Sequence, residues 1–121
     1  MDVYQIKSRI WVESNEGIFL GEGRIRLLKA IKSEGSLSKA AKSMGMSYKK
    51  AWNLIDAINK ISSEPVVKKI TGGSGGGGTV VTEYGNKKIL QFEEMKKRCW
   101  DFIQKETEVF NEQSIPRRVT G

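Results

Sequence analysis

A mainly helical α+β fold is what this sequence predicts, and three observations carry that expectation. Gly35 to Ile61 reads as a short alanine-bearing helix, a tight turn at Gly45, and a longer helix opened by Ser47, Tyr48, Lys49 and Lys50. Two β-rich runs, 66–71 and 79–82, flank Gly72–Gly78, which is all glycine except Ser74. An amphipathic pattern then runs from Thr82 to about Asn111. Helix, turn, helix and a looped strand pair together read as a winged helix-turn-helix. The expected divisions are a β-hairpin at 1–20, the winged region at 21–82, a long helix at 83–112 and a tail at 113–121.

The hairpin rests on alternation. Tyr4, Ile6, Ile10 and Val12 fall on one face of the run Val3–Glu13, and Gln5, Lys7, Arg9 and Glu13 on the other. Ser14-Asn15-Glu16-Gly17 supplies turn chemistry and Ile18-Phe19-Leu20 the return strand. Trp11 falls on the polar face, which points to cover by another element or a partner subunit.

After Gly21-Glu22-Gly23 the first helix runs to about Ser33, its buried face marked by Ile25, Leu28 and Ile31 with Leu27 beside them. Gly35 suits a left-handed cap. Ser36 caps the second helix, which turns Leu37, Ala40, Ala41 and Met44 inward; the alanines let a neighbouring helix approach closely. Ser47 caps the third, whose inward stripe is Ala51, Leu54, Ile55, Ile58 and Ile61 and whose outward set is Lys49, Lys50, Asn53, Asp56 and Lys60. Two lysines at the positive end of a helix dipole cost about 0.3–1 kcal/mol each, which a docked anion relieves. The same face also fits a merely solvated basic surface.

Glu64-Pro65 stops the third helix, and the strand pair follows. Its glycine loop allows backbone N–H groups to approach phosphate. A nucleotide-binding loop is the competing reading, and it fails because no Lys-Ser/Thr follows and the loop leads into a strand. Thr82 caps the last helix, where Phe92, Met95, Cys99, Phe102 and Val109 recur at steps of three and four except at Glu106. Ile89, Trp100, Ile103 and Phe110 widen this stripe beyond what one small domain covers. Pairing with a second copy is favoured, with Phe92, Met95, Cys99, Phe102, Ile103 and Val109 as the dimerisation set. Folding back on the chain's own hairpin is the alternative.

Composition narrows the function. The net charge is +7, and all of the excess lies in 21–71, where eleven Lys or Arg face four acids. That favours a polyanionic partner, double-stranded DNA above all. There is no histidine, and Cys99 is the single cysteine, so a His/Cys metal site, a Cys–His pair and a Ser–His–Asp triad are excluded. Neither enzyme activity nor a metal or other cofactor is expected. An unpaired cysteine and the lack of a long apolar run or signal pattern fit a cytoplasmic protein away from the membrane.

The chain resembles the N-terminal DNA-binding domain of the ModE-type molybdate-responsive transcriptional regulators. The resemblance lies in Gly21-Glu22-Gly23-Arg24, Gly35-Ser36, Ala40-Ala41, Gly45-Met46-Ser47-Tyr48-Lys49, Ala51-Trp52, Glu64-Pro65, the glycine loop, Thr82 and Gly85. A looser likeness, in the Ser…Ala-Ala…Ser spacing, extends to LysR-type winged-helix domains. The resemblance implies a homodimer on a palindromic operator, through the N-terminal region and the long helix. It places DNA contacts at Ser47, Tyr48, Lys49, Lys50 and Asn53, with wing contacts at Lys69, Thr71, Gly72, Gly73, Ser74 and Gly75; Ser36 is counted with them. Full-length members carry a separate C-terminal molybdate-binding module to which no residue here corresponds, so an effector-binding partner stays open. The rival from another class is a winged helix used for protein–protein assembly, with Tyr48 and Trp52 as anchors.

Overall fold

The computed structural model describes residues 3–71 and 78–113. Four helices and two two-stranded antiparallel sheets make it an α+β protein. The elements are β1 (Val12–Ser14), β2 (Gly17–Leu20), α1 (Glu22–Glu34), α2 (Leu37–Ser43), α3 (Tyr48–Ile61), β3 (Val67–Ile70), β4 (Gly78–Val81) and α4 (Glu83–Gln113). The chain packs as two units, Ile10–Phe92 and a smaller one built from the N-terminal residues to Arg9 with those from Glu93 onward. Helix α4 contributes to both.

The larger unit holds the core. Leu27, Leu28, Ile31, Ile58 and Val66 are almost wholly buried, each contributing about 1.5–3 kcal/mol relative to exposure. Ala40 and Ala41 are buried too, as close helix packing requires. Gly35 closes α1 in the left-handed conformation, and its N–H donates to the Ile31 carbonyl. Gly45 adopts a φ of 67° between α2 and α3. Both helices carry the serine caps the sequence predicts: Ser36 Oγ accepts the Lys39 amide at 3.2 Å and Ser47 Oγ the Lys50 amide at 3.1 Å.

The strand pair is tied down at its base. Asn59 of α3 accepts the Val66 amide through Oδ1 at 2.8 Å and donates from Nδ2 to the Val67 carbonyl at 3.0 Å. Thr82 Oγ1 donates to the Pro65 carbonyl at 2.7 Å and accepts the Gly85 amide at 2.9 Å, so the predicted cap of the last helix is also a clasp on β3. Across the pair Lys69 lies opposite Thr79 and Ile70 opposite Gly78.

Three expectations need correction. The first strand begins at Val12 instead of Val3, with a register irregularity between Val12 and Glu13. Residues 3–9 follow strand-like alternation but lie in the smaller unit, where the side chain of Asn111 stands in for a strand partner. It accepts the Tyr4 amide at 2.9 Å and donates to the Tyr4 carbonyl at 3.0 Å. The Tyr4 and Phe110 rings meet edge to face with centroids 5.6 Å apart. The N-terminal segment therefore occupies part of the α4 face.

The second correction concerns Phe92, which is 3% exposed in the core of the larger unit and has no surface left to offer a second copy. The third concerns the inward stripe of α3: Leu54 and Ile61 are only half-buried, as is Met44 after α2. Trp11 stays half-exposed, its indole N–H donating to Glu13 Oε1 at 2.7 Å.

Candidate nucleic-acid interface

The N-terminal half of α3 borders an open groove lined by Arg24, Ser47, Lys49, Lys50, Asn53, Leu54 and Ala57. The turn at Met44–Met46 and the Ser47 cap bring these groups to one surface, since residues three and four apart share a helix face. No lining residue is acidic. Glu22 and Glu83 sit in the first turns of α1 and α4, whereas the first turns of α2 and α3 hold no acid. The acid on α3, Asp56, is engaged at 3.0 Å by Lys60 one turn further on. The Lys49 and Lys50 charges are thus left beside the unsatisfied N–H groups of the helix start, a surface suited to an anion.

Ser47, Tyr48, Lys49, Lys50 and Asn53 are all exposed, and four of them line the groove. Ser47 spends an oxygen lone pair on its cap, leaving its O–H proton to donate outward. Tyr48 stands 48% exposed and Trp52, one turn along, 40%, so an aromatic edge accompanies the basic one. Ser36 is half-buried with its oxygen committed to the α2 cap. Lys69 and Thr71 are exposed on and just after β3. Gly72, Gly73, Ser74 and Gly75 lie outside the described residues.

The residues absent from the sequence-based set are Arg24 and the groove's apolar floor, Leu54 and Ala57. Arg24 is half-buried and its Nη1 is out of solvent without a hydrogen-bond partner among the described residues; burial pushes the guanidinium pKa down from its usual value. Its sequence signals are membership of the basic segment 21–71 and of the stretch Gly21-Glu22-Gly23-Arg24 that carries the family resemblance, neither of which assigns it a contact.

Of the residues named for dimerisation, Met95, Cys99 and Ile103 are half-buried, and Cys99 Sγ lies 3.7 Å from Met95 Sδ. Phe102 is 64% exposed and Val109 38%.

The arrangement is a cationic surface on a helical α+β scaffold. The chain is similar to proteins of known name over most of its length. It is 36% identical over 112 residues to the "Molybdenum transport protein ModE" of Azotobacter vinelandii, covering 93% of this chain and 42% of that protein. It is 35% identical over 102 residues to the "DNA-binding transcriptional dual regulator ModE" of Escherichia coli, covering 82% and 39% respectively. The "Molybdenum-pterin-binding protein MopB" of Rhodobacter capsulatus is 43% identical over 76 residues, covering 63% of this chain and 28% of that protein. These matches support a ModE-family relationship, and the chain spans about two fifths of the length of the ModE proteins it matches. No family model matches the chain. Among the described residues no helix is long and apolar enough to cross a membrane.

Proposed function

We infer that this chain is the DNA-binding part of a molybdenum-related transcriptional regulator, a winged helix-turn-helix that acts as a homodimer on a palindromic operator. The observation that carries this reading is the acid-free groove at the start of α3, where Ser47, Lys49, Lys50 and Asn53 converge. The names of the ModE relatives point the same way. In this reading α3 enters the major groove, Asn53 addresses adenine, Lys49 and Lys50 address guanine or phosphate, and Tyr48 packs beside them. Lys69, Thr71 and the glycines after them hold the flanking backbone as a wing.

Selection of bound duplexes from a random pool tests it, followed by affinity measurement across a salt series. An enriched palindrome is the expected outcome. If each subunit neutralises about four phosphates, log affinity against log salt falls with a slope near −7 for the dimer. The exposed Tyr48 and Trp52 favour the second reading, a protein-docking surface. Weak binding to every duplex, with little salt dependence, would decide for that alternative.

A further inference from the structure

Arg24 comes from α1, outside the helix pair of the recognition surface, yet it lines the same groove as Ser47, Lys49, Lys50 and Asn53. Arg24 is half-buried, with Nη1 shielded from solvent and meeting no acceptor among the described residues. A guanidinium presents five N–H donors in a fixed planar fork and stays charged, so an unmet donor there costs free energy that only an acceptor relieves. No acid lines the groove, so an anion that enters it meets no competing carboxylate.

We propose that Arg24 clamps one phosphate of the duplex backbone, and that this fixed contact positions α3 along the major groove. The proposal rests on reading the groove as a DNA interface. It divides the labour there by chemistry. Lys49 and Lys50 are exposed point charges on flexible stems, able to follow a base edge or a phosphate. Arg24 is held by its half-buried setting and offers the geometry that matches two phosphate oxygens at once. A backbone contact carries no base information, so its loss weakens all sequences alike.

The test uses the whole 121-residue chain and a duplex enriched by selection, with affinity read by fluorescence anisotropy. Arg24→Gln should weaken binding on the order of tenfold to a hundredfold, on selected and scrambled duplexes equally, and make the salt slope shallower by ~0.9 per subunit. Neutral methylphosphonates placed at each backbone position in turn should reveal one per half-site that weakens the native chain and leaves Arg24→Gln unaffected. Arg24→Lys should keep the slope and recover only part of the affinity. Thermal unfolding of Arg24→Gln should occur at or above the native temperature.

An unchanged slope, or a methylphosphonate profile identical to that of the native chain, would overturn the assignment. If Arg24→Gln does not fold, Arg24→Lys in the same scan must show a reduced penalty at that phosphate, and an undiminished one overturns it equally. Inorganic phosphate at matched ionic strength should displace no more duplex than chloride; stronger displacement, lost in Arg24→Gln, would instead mean a site for free oxyanions. Failure of the native chain to bind any duplex removes the DNA reading itself, which separates that failure from one of Arg24 alone.

Discussion

Asn59 Oδ1 accepts the Val66 amide at 2.8 Å while its Nδ2 donates to the Val67 carbonyl at 3.0 Å, so one side chain on α3 completes the hydrogen bonding of the chain entering β3. Val66 and Val67 are buried, and water cannot replace what Asn59 supplies. Asn59→Ala removes the partner of the Val66 and Val67 amides and of the Val67 carbonyl, at about 1–3 kcal/mol for such a loss. Urea unfolding should show the midpoint falling accordingly. Because β3 carries Lys69, duplex affinity should fall as well, at temperatures where the variant is still folded.

Gly85 and Gly23 make a matched pair. Both are helical, and glycine to alanine within a helix ordinarily stabilises by about 0.5–1 kcal/mol. A Cβ on Gly23 meets nothing within 4 Å. A Cβ on Gly85 runs into the Val66 carbonyl oxygen and comes within 2.8 Å of Val81 Cγ1. Gly23→Ala should therefore raise the melting temperature, whereas Gly85→Ala should lower it by the equivalent of about 1–3 kcal/mol of overpacking.

Removing the two lysines separates binding from folding. Lys49 and Lys50 are exposed in the first turn of α3, which has no acid to offset them. Lys49→Ala with Lys50→Ala should abolish detectable operator binding while leaving the helical circular dichroism unchanged. Thermal stability should rise slightly, since each cation removed relieves about 0.3–1 kcal/mol at the helix start. Operator affinity retained in the double variant would refute the role given to α3.

What could be read in advance was what short-range chemistry decides. The Ser36 and Ser47 caps, the left-handed glycines at 35 and 45 and the strand pair after Pro65 each depend on residues close in sequence. Alternation from Tyr4 to Val12 predicts too long a first strand because it reports which side chains share a face, not what lies beside the backbone. For Tyr4 that neighbour is Asn111, 107 residues away. Phe92 has the spacing of the apolar stripe, but the core of the larger unit already covers it. The sequence does not single out Arg24, because a cation's partner, or lack of one, is a property of packing.

The outer face of α4 makes the last prediction. Phe102 and Val109 lie seven residues apart on one face of the helix and each is more than a third exposed, while Trp100 and Phe110 fall on another side. Tyr4 meets Phe110 edge to face, yet Phe110 remains 53% exposed and Phe102 64%. Apolar exposure on one helix face suits an interaction surface, and burying one phenylalanine contributes about 1.5–3 kcal/mol. If a second copy covers this face, Phe102→Glu introduces a charge that the interface cannot solvate, with little effect on a residue already in water. Sedimentation equilibrium should then find the native chain dimeric and the variant monomeric, with unfolding temperature nearly unchanged at low protein concentration. On DNA the loss should be larger than on protein association alone. A dimer engages its second half-site intramolecularly, and avidity of that kind amounts to about 10²–10⁴-fold. Phe102→Glu should therefore bind a palindrome no better than an isolated half-site. A variant that is still dimeric, or that keeps its preference for the palindrome, would show that the two copies meet through some other face.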